Sequence, residues 1–147
     1  MRLVIEADGG SRGNPGPAGY GAVVCDAASD EVLVECSEGI GLATNNVAEY
    51  QGLIAGLRAA VQLAGPAAGT AEVEARMDSK LVVEQMSGRW KIKHPAMRPL
   101  ADQATELVGQ LGSVRFTWVP RERNKRADRL ANLAMDAQSL TGSETTR

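Results

Sequence analysis

Four carboxylates spread along the chain have the residue type and surroundings for metal chemistry. Asp8 and Asp78 each end a predicted strand and lead into a polar turn. Glu49 follows the polar run 44–46 at a predicted helix start, and Asp128 lies in the first turn of the last predicted helix. Sites in open α/β sheets form beyond the carboxyl ends of strands. Carboxylates gathered at such a site repel one another, so the arrangement needs a compensating cation. Ligands that are all oxygen atoms, without His or Cys, favour a hard cation, Mg²⁺ or Mn²⁺.

Each carboxylate also has a purely structural interpretation. Asp8 could end a strand at a glycine turn, and Asp78 could cap the next helix. Glu49 could interact with the dipole of its helix. Asp128 could form a surface ion pair with a neighbouring arginine. None of the four is decisive alone, so the residues around each one have to distinguish the interpretations.

Residue periodicity predicts the elements that position these carboxylates. Alternating apolar residues predict strands at 3–8, 19–24, 32–37, 73–77 and 114–118. Apolar residues at helical spacing predict helices at 47–64, 79–86, 97–111 and from 125 onward, the last capped by Asn124. This order indicates an α/β layered fold, in which three antiparallel strands come first and later strands pair in parallel through helical connections.

Length and composition narrow the class of protein. The 147 residues fit one domain, predicted at 1–137, with a small polar tail or linker start at 138–147. No apolar run approaches the roughly 18 residues that span a bilayer, and the N-terminus has no secretory apolar region. The predicted hairpin register separates Cys25 from Cys36, so both are expected as free thiols in a cytoplasmic protein. The single histidine, His94, argues against a His-rich zinc site or a serine–histidine triad.

Charge is distributed unevenly. Residues 1–75 hold 3 Lys/Arg and 10 Asp/Glu, whereas residues 76–126 hold 11 Lys/Arg and 5 Asp/Glu. The basic segment predicts a surface that binds a polyanion. The alternative is chance clustering of solvated side chains.

The surroundings of the four carboxylates resemble the ribonuclease H type 1 family. Four family motifs occur in order, as D-G-G-S-R-G-N-P-G at 8–16, T-N-N-V-A-E at 44–49, D-S at 78–79 and A-D-R-L-A at 127–131. Together they extend over nearly the whole chain. The resemblance implies a three-layer α/β fold with a five-stranded mixed sheet and helices on both faces.

The same resemblance implies an endonuclease that hydrolyses the RNA strand of RNA–DNA hybrids, leaving 5′-phosphate and 3′-hydroxyl ends. Two Mg²⁺ ions, with Mn²⁺ as a substitute, would clamp the attacking and leaving oxygens of the phosphodiester. By family analogy Asp8 would bridge both ions. Glu49 and Asp78 would complete one metal site, and Asp128 the other.

Family positions also suggest substrate contacts. Ser11, Asn14 and Asn45 match positions near the RNA minor groove, where an amide can both donate to and accept from a 2′-OH. Thr44 and Asn46 match contacts to the phosphates of the DNA strand. The alternatives are a plain Asn-Pro turn for Asn14 and helix capping for Thr44 and Asn46.

The basic stretch 89–93 could follow a nucleic-acid backbone, with Trp90 offering a stacking face. Alternatively it is a solvated loop with Trp90 packed in the core. Many family members also place a histidine in the loop before the last aspartate, but here that loop, 119–124, has none. Arg121 is the preferred substitute and Arg123 the alternative, although arginine cannot shuttle protons.

The expected partner is the RNA–DNA hybrid, without a membrane or an obligate protein partner, and the expected state is a monomer. Some similar bacterial proteins fuse this domain to a C-terminal histidine-phosphatase-like domain. Three alternatives stay open: a non-catalytic nucleic-acid-binding module, a related nuclease that also acts on double-stranded RNA, and a transposase-like strand-transfer enzyme of the same superfamily. The presence of all four carboxylates argues against a pure binder, because negative charge near phosphates would only weaken binding.

Overall fold

The structure, a computed structural model, describes the backbone of residues 1–145 and the side chains of residues 1–138. The described strands are β1 (Arg2–Ser11), β2 (Gly16–Asp26), β3 (Val32–Ala43), β4 (Glu72–Met77) and β5 (Ser113–Trp118). The described α-helices are α1 (Asn45–Ala64), α2 (Lys80–Met86), α3 (Arg98–Gly109) and α4 (Lys125–Thr145). Short 3₁₀ turns occupy Gly65–Thr70 and Arg121–Arg123.

The strands form one sheet in the order β3-β2-β1-β4-β5. β1 pairs antiparallel with β2, and β2 with β3, whereas β1–β4 and β4–β5 are parallel. The predicted mixed sheet is therefore confirmed. In the β2–β3 hairpin Cys25 lies opposite Val32 and Cys36 lies opposite Ala22, so the two thiols are apart and free, as the predicted register requires.

Helices cover both faces of this sheet, and alternation along β2 shows which face each one covers. Ala22 and Val24 belong to the main apolar core, to which α1, α2 and α3 also contribute. Val23 and Cys25 point the other way and pack with Leu130 of α4. The result is a three-layer α/β arrangement, which confirms the fold that the family resemblance implied.

The first three strands are longer than predicted. β1 does not end at Asp8 but continues through Ser11, because the backbone of residues 9–11 pairs with residues 18–20 of β2. Backbone pairing does not require apolar side chains, so the glycine-rich stretch extends the sheet without an alternating pattern. β3 likewise continues to Ala43.

Helix α4 is also longer than predicted. Its assigned backbone reaches Thr145, so it includes part of the polar tail expected at 138–147, while residues 146 and 147 lie outside the described residues. The domain boundary at residue 137 stays a prediction. None of the helices in the described part of the chain combines the length and apolar character needed to cross a bilayer.

Candidate active site

A cavity of about 290 Å³ lies where the parallel pairing of β1 and β4 ends. These strands are parallel neighbours with Ala7 opposite Met77, so Asp8 and Asp78 follow at adjacent positions on one edge. Glu49 from α1 and Asp128 from α4 line the same cavity. The fold thus brings together the four carboxylates that the sequence singled out.

Close packing between α1 and β1 places Glu49. The Thr44 hydroxyl accepts a backbone N–H of the first helical turn and so caps α1. A β-carbon at Gly9 would overlap the carbonyl group of Ala48, so only glycine lets the helix approach the strand this closely. Glu49, the next residue, then points to the strand ends, where Ser79 hydrogen-bonds its carboxylate.

Asn124 connects the three segments that carry Asp8, Asp78 and Asp128. Its Nδ2 donates to the Ala7 carbonyl and to Asp78 Oδ1, both at 2.9 Å, and its own carbonyl accepts the N–H of Asp128 at 3.0 Å. The side chain is fully buried, and its Oδ1 has no hydrogen-bond partner. The predicted helix-capping role of the Asn124 side chain is wrong, because its amide bonds the Ala7 carbonyl and Asp78 instead. An asparagine before a helix has the same sequence signal in both roles, so spacing could not distinguish them.

Burial and mutual repulsion disfavour the charged forms of the carboxyl groups in the cavity. Burial raises the pKa of Asp8 to about 8, with further increases from the charge of Asp78 and the hydrogen bond to Asp128. Burial also raises the pKa of Glu49 to about 7, and the charge of Asp78 adds to this. Both shifts show that deprotonated carboxylates are disfavoured here without a compensating cation.

The donor set fits a hard metal ion. In the described part of the chain, no group of three or more His, Cys, Asp or Glu side chains is already arranged to hold a metal ion. The fit rests on donor chemistry: the four carboxylates lining the cavity offer only oxygen atoms, which suits Mg²⁺ or Mn²⁺ better than softer metals.

The two arginines proposed to replace the missing histidine differ in position. Arg121 lines the cavity, and its Nη2 lies 3.7 Å from Asp128 Oδ1. Arg123 is exposed and is not among the described residues that line the cavity. The structure therefore brings Arg121 to the carboxylates and leaves Arg123 outside.

The residues predicted to face the RNA minor groove form one connected cluster. The Ser11 N–H donates to Asn45 Oδ1 at 2.7 Å, and the Asn45 N–H donates to Asn14 Oδ1 at 2.9 Å. These bonds use the amide oxygens and leave both side-chain NH₂ groups without a partner among the described residues. Ser11 and Asn45 also line the carboxylate cavity, so the cluster adjoins it.

A second groove, of about 420 Å³, begins on the other side of this cluster. An apolar floor that includes Val47, Leu81 and Met97 is surrounded by polar and basic residues, among them Asn14, Thr44, Asn46, Lys91, Lys93 and His94. Trp90 is 47% exposed beside the lysines, so the alternative that placed it in the core is wrong. The basic segment is anchored by Arg89, which donates to both carboxylate oxygens of Glu84 at 2.6 and 2.9 Å.

Comparisons with known proteins identify relatives that match most of this chain. A family model described as "Reverse transcriptase-like" matches residues 6–134. The bifunctional protein Rv2228c of Mycobacterium tuberculosis is 63% identical over 137 residues, which cover 93% of this chain but only 36% of that protein. The chain therefore spans about a third of the length of this curated relative.

Two solved structures are similar in both sequence and fold. The N-terminal RNase H domain of Rv2228c, solved as a fusion with maltose binding protein, has a TM-score of 0.90 and 60% identity, covering 97% of this chain and 99% of that one. LC11-RNase H1 in complex with an RNA/DNA hybrid has a TM-score of 0.86 and 43% identity, covering 92% of this chain and 97% of that one.

Proposed function

Because the chain belongs to the ribonuclease H type 1 family, we propose that its four-carboxylate cavity hydrolyses the RNA strand of RNA–DNA hybrids. The observation that carries this proposal is the position of Asp8, Glu49, Asp78 and Asp128 around one cavity at the strand ends. The solved relative in complex with an RNA/DNA hybrid supports the same substrate. The expected products carry 5′-phosphate and 3′-hydroxyl ends.

The family depends on divalent metal ions. We propose that Asp8, Glu49, Asp78 and Asp128 would hold two Mg²⁺ ions, with Mn²⁺ as a substitute. When bound, these ions supply an activated water and stabilise the leaving 3′-oxygen. The raised pKa values of Asp8 and Glu49 support this assignment, because cations would offset the charge that burial penalises.

Three side chains prepare the site for this reaction. Asn124 orients Asp78 through its 2.9 Å hydrogen bond. A hydrogen bond from Ser79 favours the charged form of Glu49 and opposes the increase in its pKa that burial causes. Arg121, at the cavity mouth beside Asp128, contacts the cleaved phosphate as a permanent positive charge.

Alanine substitutions of Arg121 and Arg123 test which arginine contacts the cleaved phosphate. Arg121→Ala should lower the turnover rate by about tenfold or more, equivalent to about 1.4 kcal/mol. Arg123→Ala, the matched control, should leave turnover within about twofold, because Arg123 lies outside the cavity. Equal turnover in the wild type and in Arg121→Ala would remove Arg121 from the proposal.

Hybrid recognition combines two surfaces. The Ser11–Asn14–Asn45 cluster offers amide groups to the 2′-OH of the RNA strand, which distinguishes RNA from DNA. Beyond it, the groove with Thr44 and Asn46 follows the DNA phosphates. Lysine side chains and the exposed face of Trp90 extend this groove.

Substrate choice tests the proposal. A labelled RNA–DNA hybrid, a matched RNA duplex and a matched DNA duplex would be incubated with the protein in Mg²⁺, in Mn²⁺ and in chelator. We expect cleavage of the RNA strand of the hybrid only, and only with metal. Hybrid binding without cleavage would instead indicate the non-catalytic binding module, and equal cleavage of the RNA duplex would indicate a broader nuclease.

The full-length protein is a separate proposal. The chain covers 36% of a relative that is described as bifunctional, which supports a further C-terminal domain in the intact protein. The monomeric state and the cytoplasmic location expected from the sequence stay predictions. Size measurement of the isolated chain in solution would test the first of these.

A further inference from the structure

We propose that Arg12 binds a phosphate of the RNA strand next to the cleaved linkage and thereby helps to fix where the strand is cut. The inference rests on the proposed function and adds a residue that determines cleavage position. Arg12 follows β1 and lines the same cavity as the four carboxylates. It lies four residues beyond Asp8, about 13 Å along an extended chain, which places it beside the cleaved linkage rather than at it.

Helix α4 holds the guanidinium in place. Arg12 Nη2 donates to Asp136 Oδ1 at 2.7 Å and to Asn132 Oδ1 at 3.4 Å. The two acceptors are one helical turn apart on α4, so both face the same end of Arg12. The ion pair is exposed on both sides, with 43% of the Arg12 side chain accessible, and pairs of this kind contribute little to stability. The two acceptors on one face of α4 favour this orientation of the arginine.

That orientation leaves donors free for a ligand. Among the described residues, the guanidinium of Arg12 makes its contacts through Nη2 alone, and Nε and Nη1 have no acceptor. The N–H groups left on Nε and Nη1 can each donate to a phosphate oxygen, and the guanidinium keeps its positive charge at any working pH. The acidic cavity would repel a polyanion, so a positive charge at its edge is where a neighbouring phosphate gains most.

The position of Arg12 indicates which strand it contacts. α1 and α4 cover opposite faces of the sheet, and Arg12 is held on the α4 side. The groove with Lys91 and Lys93 lies on the α1 side, across the Ser11–Asn14–Asn45 cluster. If that cluster occupies the minor groove, the two strands of the hybrid flank it. The DNA phosphates then lie in the lysine groove, and the RNA phosphates lie at the carboxylates and Arg12.

Neutralising single phosphates tests this assignment. Hybrids would carry one uncharged methylphosphonate at each successive position of the RNA strand, or of the DNA strand. Binding to Asp8→Asn protein would be compared with binding to the Asp8→Asn, Arg12→Ala double variant by fluorescence anisotropy. One RNA position near the cleaved linkage should weaken binding about tenfold with Arg12 present and leave it unchanged without Arg12. The dependence of log affinity on log salt should also become shallower by about 0.7–0.9 for the one lost contact.

Cleavage provides the second readout, in protein with the carboxylates intact. Arg12→Ala should raise KM about tenfold with kcat within about threefold, and should spread cleavage over neighbouring linkages. Arg12→Lys should recover part of the affinity but not the sharp cleavage pattern, because an ammonium keeps the charge on a flexible stem but lacks the planar arrangement of donors that bonds helix α4 and a phosphate together. Arg115→Ala is the matched control, since Arg115 is also an exposed arginine paired with one carboxylate, Glu74, away from the cavity.

The outcomes separate this proposal from the proposed function. Coupling of Arg12 to a phosphate of the DNA strand, or to none, would overturn the proposal even if the hybrid is cleaved. An unchanged cleavage pattern in Arg12→Ala would also overturn the role in cleavage position. If wild-type protein does not cleave the hybrid, the proposed function fails, and the phosphate coupling measured by binding still decides whether Arg12 holds the RNA strand.

Discussion

Replacing Asn124 with alanine should damage the candidate site and the stability of the fold together. The substitution removes a fully buried amide that bonds both β1, at the Ala7 carbonyl, and Asp78, the residue that follows β4. It leaves the backbone of Asn124, and so the bond to the Asp128 N–H, in place. Asp78 then loses the donor that fixes its carboxylate.

The magnitude follows from the bonds that are lost. A neutral hydrogen bond contributes about 1 kcal/mol and one to a charged group about 1.5–3 kcal/mol. Removing Asn124 Oδ1 recovers part of this lost free energy, because that buried oxygen has no hydrogen-bond partner. We therefore expect a loss of about 2–4 kcal/mol in the free energy of unfolding. Residues that orient metal ligands typically change metal affinity or activity by about 10–100-fold, so the metal concentration for half-maximal cleavage should rise by that factor.

Two measurements separate the structural from the catalytic effect. Urea unfolding gives the stability loss, and a Mg²⁺ titration of hybrid cleavage gives the metal dependence. Leu111→Ala is the matched control, because Leu111 is a buried core residue remote from the cavity. It should cost about 2–5 kcal/mol without moving the metal titration. A wild-type metal titration in Asn124→Ala, or an equal shift in Leu111→Ala, would refute the role of Asn124.

Three further substitutions test a close helix–strand contact, an ion pair and a hydrogen bond of the fold. Gly21→Ala should destabilise the fold by about 1–3 kcal/mol in thermal unfolding, because its β-carbon would collide with helix α4. The Arg89 hydrogen bond lowers the pKa of Glu84 to about 2, below its unfolded value, so its stabilisation is complete above about pH 4.5 and is lost as the pH falls towards 2. In Glu84→Gln the free energy of unfolding should therefore depend less on pH in that range. Tyr50→Phe removes a 2.6 Å bond to Gln85 and should cost about 0.5–1.5 kcal/mol in urea unfolding.

The sequence predicted those parts of the fold that depend on local periodicity. Alternation placed all five strands, and helical spacing placed α1 to α4, because both patterns reflect which side chains face the core. The Thr44 and Ser79 caps were also predictable, since each precedes an apolar helical run and accepts a backbone N–H three residues on. Strand ends were less predictable, because the glycine-rich end of β1 pairs through its backbone alone.

Contacts between distant residues could not be predicted from spacing. Arg12 and Asp136 are 124 residues apart, and Asn124 is 117 residues from Ala7, so neither bond leaves a local pattern. The choice between Arg121 and Arg123 depended on which side of a 3₁₀ turn faces the cavity, which composition does not reveal. The four carboxylates were recognisable because each lies within a family motif.

The most direct test compares wild-type protein with Asp8→Asn on one labelled RNA–DNA hybrid in Mg²⁺, following cleavage and binding in the same samples. We predict that the wild type releases RNA fragments with 5′-phosphate and 3′-hydroxyl ends. Asp8→Asn should still bind the hybrid but lose cleavage by about a thousandfold or more, or about 4 kcal/mol. Comparable cleavage by Asp8→Asn, or no cleavage by the wild type, would contradict the assignment of this cavity as the site of hydrolysis.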